Sequence, residues 1–122
     1  MDRRALLGLA AALPALAAVK ARAEDGPKTY FVLMHMPGPK WDKTKSFRDQ
    51  PGIGAHVAYM SGFADKKQLV MGGPFLDDSG GMMLFELASL AEARAIANAD
   101  PTVRSGLLKV RVKPWLVAIA RD

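Results

Sequence analysis

The chain has 122 residues, half of them apolar and 24% charged, with 17 Lys+Arg against 12 Asp+Glu and a formal net charge of +5. That length accommodates one domain, and a mean hydropathy of +0.05 excludes a disordered chain. The lack of cysteine excludes a disulfide framework, a thiolate nucleophile, a lipoprotein anchor and a cysteine zinc site.

Residues 1–23 read as a cleaved export signal. Arg3 and Arg4 precede an apolar run from Ala5 to Val19, which ends at the small-x-small pattern Ala21-Arg22-Ala23. The run is shorter than the ~20 apolar residues that span a bilayer, so no stable membrane anchoring is expected. It also lacks the polar face of an amphipathic helix. The arginine pair followed by Ala5-Leu6-Leu7 resembles a twin-arginine signal, although Asp2 stands where Ser or Thr is usual. The expected protein is exported to the periplasm after cleavage behind Ala23, with 24–28 a short linker and 29–122 the domain. Arg3, Arg4, Lys20, Arg22 and Asp2 leave with the signal, so 13 basic residues face 11 acidic ones and the charge falls to +2. A domain at that charge has no phosphate-backbone footprint, and no nucleic-acid partner is expected.

Thr29–Met36 is a run of strand formers stopped by Pro37-Gly38-Pro39. A polar loop follows. Ile53, Val57, Met60 and Ala64 then recur at helical spacing within Gly52–Gln68, with Phe63 beside them. Leu69–Phe75 is a glycine-interrupted strand, "LDDSGG" a turn, and Met82–Leu87 a second strand. Ser89 and Glu92 form a capping box ahead of a second helix that stops near Asp100-Pro101. A short helical turn over Pro101–Ser105 leads to the last strand, Leu107–Ile119.

This order is that of an α+β, ferredoxin-like βαββαβ fold: an antiparallel four-stranded sheet with two helices on one face. The first strand is apolar on both alternations, Tyr30, Val32 and Met34 on one side and Phe31 and Leu33 on the other. A strand apolar on both faces is covered on both. One small domain has no second layer to offer, so the expected cover is a second copy, making a homodimer or higher oligomer.

"GPKW", "AHVAYMSGFADKKQLVMGGPF" and "LAEARAIANADPTVRSGLLKVRVKPW" together resemble the YCII-related domain family over nearly the whole chain after residue 23. The resemblance implies a dimeric α+β barrel and a His–Asp pair in a pocket at the sheet face, which maps here onto His56 and Asp100. The export-like leader departs from the family's pattern.

His56 shares a helical side with Ile53, Met60 and Phe63 and therefore faces the sheet or its rim. It reads either as a buried neutral imidazole or as a catalytic base, and the base reading needs a partner that fixes its tautomer. Asp100 before Pro101 reads as the N-cap of the short helix, bonding the amides of Thr102 or Val103. A carboxylate has enough lone pairs to cap and to orient a histidine at once. Gly72, Gly73 and Pro74 either leave room for a ligand over the sheet or bend the strand at a bulge. His35, at the end of the first strand, reads as a rim residue or as a lining residue of the pocket mouth. Trp41 and Trp115 read as packing residues, and Arg111 and Lys113 as solvated. No H-x-x-x-H spacing occurs, so no metal is expected, and no cofactor is implied.

Two functions from different classes follow. One is a lyase, isomerase or hydrolase acting on a small organic acid or lactone through His56 and Asp100. The other is a non-catalytic module for binding a small ligand or for dimerisation. Haem binding, with His35 or His56 as axial ligand, is a third and lesser reading.

Overall fold

Alternation along β1 (Thr29–Pro37) sends Phe31, Leu33 and His35 to one face, where all three are buried, and leaves Tyr30, Val32 and Met34 half-buried on the other. The computed structural model describes residues 29–122. The expected export signal, its cleavage site after Ala23 and the linker over 24–28 lie outside the described residues. The remaining elements are a 3-10 turn at Phe47–Asp49, α1 (Ile53–Asp65), β2 (Leu69–Pro74), β3 (Gly81–Glu86), α2 (Leu90–Asn98), α3 (Pro101–Ser105) and β4 (Leu108–Leu116). The strands form one antiparallel sheet in the order β2-β3-β1-β4, the ferredoxin-like arrangement, and the helices pack on one face of it.

The core lies between that face and the helices. Phe31, Leu33 and Phe85 from the sheet meet Met60 of α1 and Ala93, Ile96 and Ala97 of α2. A smaller cluster of Phe47, Leu107 and Leu108 packs with Trp41 and Ile53 beside the end of β1. Trp41 is the packing residue expected, edge-on to Phe47 at 5.5 Å.

Local chemistry explains most element ends. The Ser89 hydroxyl accepts from the Glu92 amide (3.1 Å), and the Glu92 carboxylate accepts from the Ala88 amide (3.2 Å). The box therefore closes one residue earlier than its usual form. In the β2–β3 turn, Asp77 Oδ1 accepts from the amide and hydroxyl of Ser79. Helix α1 ends at Asp65 rather than at Gln68. Lys67 adopts φ 62°, the Lys67 amide donates to the Ala64 carbonyl and the Gln68 amide to the Phe63 carbonyl. That is a Schellman termination with lysine in the position glycine usually takes.

Two readings of the sequence need correction. The buried stripe of α1 is His56 and Met60, flanked by half-buried Tyr59 and Phe63, whereas Val57 and Ala64 are exposed. Trp115 is 46% exposed. It lies on the open sheet face, lining a shallow groove with Val32, Met82, Lys113 and Pro114. Arg111 and Lys113 are exposed as expected, opposite Met34 and Val32 in the β1–β4 register.

Candidate functional site

A cavity of about 280 Å³ opens between α1 and the β2–β3 side of the sheet. Met60, Val57, Ser61 and Ala64 of α1 form one wall, Leu69, Gly72, Gly73 and Pro74 of β2 and Met83 of β3 the other, with Phe47 at the side. His35 and His56 complete the lining together with Gly81. No Lys, Arg, Asp or Glu is among these residues.

Three elements bring the polar cluster together. His56 comes from the first turn of α1, His35 from the end of β1, and Asp100 is the N-cap of α3. All three are buried, at 2%, 1% and 0% exposure. His56 Nδ1 donates to Asp100 Oδ2 at 2.6 Å. The other carboxylate oxygen, Oδ1, accepts from the Thr102 amide (2.9 Å) and the Thr102 hydroxyl (2.6 Å). The capping and orienting roles read for Asp100 thus fall on different oxygens of one side chain. Burial alone raises the Asp100 pKa, but the hydrogen bonds from the His56 ring and from the side chain and amide of Thr102 hold it below the usual aspartate value. Asp100 is therefore an anion at neutral pH that fixes the His56 tautomer with its proton on Nδ1. Nε2 is left as the ring nitrogen available to the cavity that His56 lines.

Of the two readings of His35, a rim residue or a lining residue of the pocket mouth, the second agrees with its place in the cavity wall. Pairing with β4 continues through Pro37↔Leu108, so His35 sits inside the sheet rather than at its fringe. Its ring lies edge-on to that of His56, with centroids 4.8 Å apart, and its Nε2 is 3.7 Å from Asp100 Oδ2. Burial first, then repulsion from His56, lower its pKa from 6.5 to about 4 against the opposing effect of Asp100. Gly80 makes this place possible: at φ 144° it approaches the His35 carbonyl so closely that a Cβ would lie 2.0 Å from its oxygen.

Gly72, Gly73 and Pro74 line the cavity as one of their two readings required. The register shift of β2 falls between Leu69 and Met71, upstream of the glycines. A Cβ on Gly73 would meet nothing within 4 Å, whereas one on Gly72 would meet the Met83 sulfur. Residues that carried no sequence signal also shape the site. Gln50 is buried and ties the loop together through the Asp42 amide and the carbonyls of Asp42 and Lys45. The Phe47 amide donates to Asp78 Oδ1 of the β2–β3 turn at 3.0 Å.

His35, His56 and Asp100 each offer a ligand atom within 4.8 Å of one another, a grouping that linear spacing could not reveal. The 2.6 Å separation of His56 Nδ1 and Asp100 Oδ2 is that of a short hydrogen bond. Two ligands on a tetrahedral zinc ion stand about 3.3 Å apart. The cavity is of a size for a single substituted ring, since about 150 Å³ holds benzene, and not for a haem macrocycle.

Residues 29–116 match the profile of the YCII-related domain. The chain belongs to the YCII-related domain family. A YCII-family chain of this length also finds a curated relative in the uncharacterized protein YjpA of Bacillus subtilis (strain 168), 37% identical over 73 residues that cover 60% of this chain and 85% of YjpA. Among solved structures, 5-chloro-2-hydroxyhydroquinone dehydrochlorinase (TftG) from Burkholderia phenoliruptrix AC1100, in complex with 2,5-dihydroxybenzoquinone, aligns with a TM-score of 0.55 at 24% identity. The alignment covers 70% of this chain and 92% of TftG. Likeness at that identity is one of fold.

Proposed function

We propose that this YCII-family protein is a general acid–base enzyme of the lyase or isomerase kind, acting on a small oxygenated ring compound, with His56 as the proton carrier and Asp100 as its orienting anion. The observation that carries this reading is the buried 2.6 Å contact between His56 and Asp100 beside a cavity that His56 itself lines. In the reaction Nε2 of His56 takes a proton from a ring hydroxyl or an activated carbon. The electron pair left behind forms a new double bond while a leaving group departs, or collects the proton back at another atom. Asp100 stabilises the imidazolium between these steps, and a positioned base of this kind contributes roughly 10²–10⁴-fold.

The lining refines the substrate classes read from sequence. With no Lys or Arg among the described residues of the wall, an open-chain carboxylate would find no fixed cation there, and desolvating it would be costly. A lactone or a hydroxylated ring fits better. The elimination named in TftG's description, on a chlorinated hydroxyhydroquinone, is chemistry of this class.

The test is an absorbance screen of lactones and hydroxylated or quinonoid rings against the unmodified protein and His56→Gln. Turnover lost by two orders of magnitude or more in a variant that remains folded supports the enzyme. Ligand binding with no turnover of any compound supports the second reading, a small-ligand binding module, which the largely apolar wall also suits.

Two further parts of the reading concern context. A second copy of the chain is proposed to cover the open sheet face, where Val32, Met82, Pro114 and the exposed Trp115 lie side by side. Export to the periplasm is proposed from the arginine pair and the Ala21-Arg22-Ala23 pattern. Mass spectrometry of the periplasmic fraction should find a chain beginning at Glu24, and an intact chain confined to the cytosol would remove that part.

A further inference from the structure

Proton transfer by His56 and Asp100 leaves the other histidine of the cluster without a task. His35 is 1% exposed and lines the same cavity, yet neither of its ring nitrogens has a hydrogen-bond partner among the described residues. Asp100 Oδ2, at 3.7 Å from Nε2, is beyond hydrogen-bond reach. Buried polar side-chain atoms are nearly always paired, and leaving them unpaired costs stability. Phe31 and Leu33, two and four residues earlier on the same strand face, show that this layer is otherwise filled by apolar side chains. A packing role alone would be met by one of them.

We propose that His35 is a substrate-binding residue: it donates a hydrogen bond to a carbonyl or enolic oxygen of the ring compound whose proton His56 removes. This rests on the functional reading above and narrows its substrate class to compounds that carry such an oxygen in conjugation with the acidic position. When His56 takes the proton, the electron pair moves onto that oxygen, and the N–H of His35 meets the oxyanion as it forms. The pair then returns to the ring, expelling the leaving group or accepting a proton elsewhere. A neutral imidazole suits the task, because it supplies a donor without competing for the proton that His56 carries. Burial and the neighbouring His56 keep His35 neutral at pH 7, since they lower its pKa to about 4. The edge-on placement of the two rings, 4.8 Å apart, lets both serve one ligand without stacking on each other.

The experiment measures binding of hydroquinone, a hydroxylated ring that is uncharged at pH 7, by calorimetry, with thermal unfolding in parallel, for the full chain and for His35→Phe, His35→Gln and His56→Gln. His35→Phe should weaken binding roughly ten- to a hundred-fold, the effect of losing one buried hydrogen bond, while leaving the unfolding temperature unchanged or raised. His35→Gln, which keeps an N–H donor, should recover part of the affinity. Binding that falls in His56→Gln but not in His35→Phe overturns the role of His35 and leaves the functional reading standing. An unfolding temperature that drops by more than about 5 °C in both His35 variants overturns it as well, by making His35 a structural residue. No binding to the unmodified chain at millimolar probe overturns both.

Discussion

Acidification should destabilise this protein through His35 well before its carboxylates are neutralised. The imidazole has a pKa of 6.5 in the unfolded chain and about 4 in the fold, with burial as the largest cause and His56 as the second. Between these values the unfolded state binds more protons than the native one, so stability rises with pH through this window. The contribution is fully present above pH 6.5 and is lost progressively as the pH falls towards 4. At pH 4.5 the loss from this one ring is roughly 2–3 kcal/mol, a large part of the 5–15 kcal/mol that holds a typical domain. Asp100, held below its usual value, keeps its charge in that window and adds to the loss only at lower pH. Urea unfolding followed by circular dichroism at pH 7.5 and pH 4.5 measures the effect, with His35→Phe as the reference. The unmodified chain should lose roughly 2–3 kcal/mol more than the variant. Equal losses in the two proteins would refute the account of His35 as a buried ring that must enter the fold uncharged.

Asp100→Asn should lower any turnover by roughly 10²–10⁴-fold, because the His56 tautomer is no longer fixed by an anion. The same variant should cost about 1–3 kcal/mol in urea unfolding from the lost charged hydrogen bond to His56, since an asparagine oxygen caps Thr102 about as well as aspartate does. Gly80→Ala forces a side chain into φ 144° against the His35 carbonyl, and a loss of about 1–3 kcal/mol in thermal unfolding is expected. Val32→Asp places a charge at the centre of the open sheet face. If a second copy covers this face as proposed, light scattering should then report a lower mass with circular dichroism unchanged, and an unaltered mass would remove the proposed dimer through this face.

Much of the fold could be read from particular residues. Ser89 with Glu92 and Asp100 with Pro101 announce two helix starts because their side chains satisfy specific amides. The alternation of Phe31 and Leu33 gives the buried face of β1. The end of α1 was not legible, because Lys67 takes a left-handed conformation that neither glycine nor asparagine advertises. The site was legible only in part. His56 and Asp100 were brought together by a family resemblance and not by spacing. His35 could be read as lining the pocket mouth but not as fully buried, because alternation gives the face of a strand residue and not how far pairing with β4 extends beyond it. The uncharged wall of the cavity depends on which way Val57, Ser61 and Met83 turn, and nothing local in the chain sets that.

The two partners of the central hydrogen bond are 44 residues apart in the chain, and His35 adds a third segment from the first strand. Closing a loop of that length costs about 3 kcal/mol in chain entropy, and no local element compensates for it early. The three-residue cluster therefore exists only after β1, α1 and α3 have all docked. Any reactivity of this protein should appear as a late event in refolding, lagging the recovery of helical signal. A chain cut before Asp100 should contain both histidines and none of their joint chemistry.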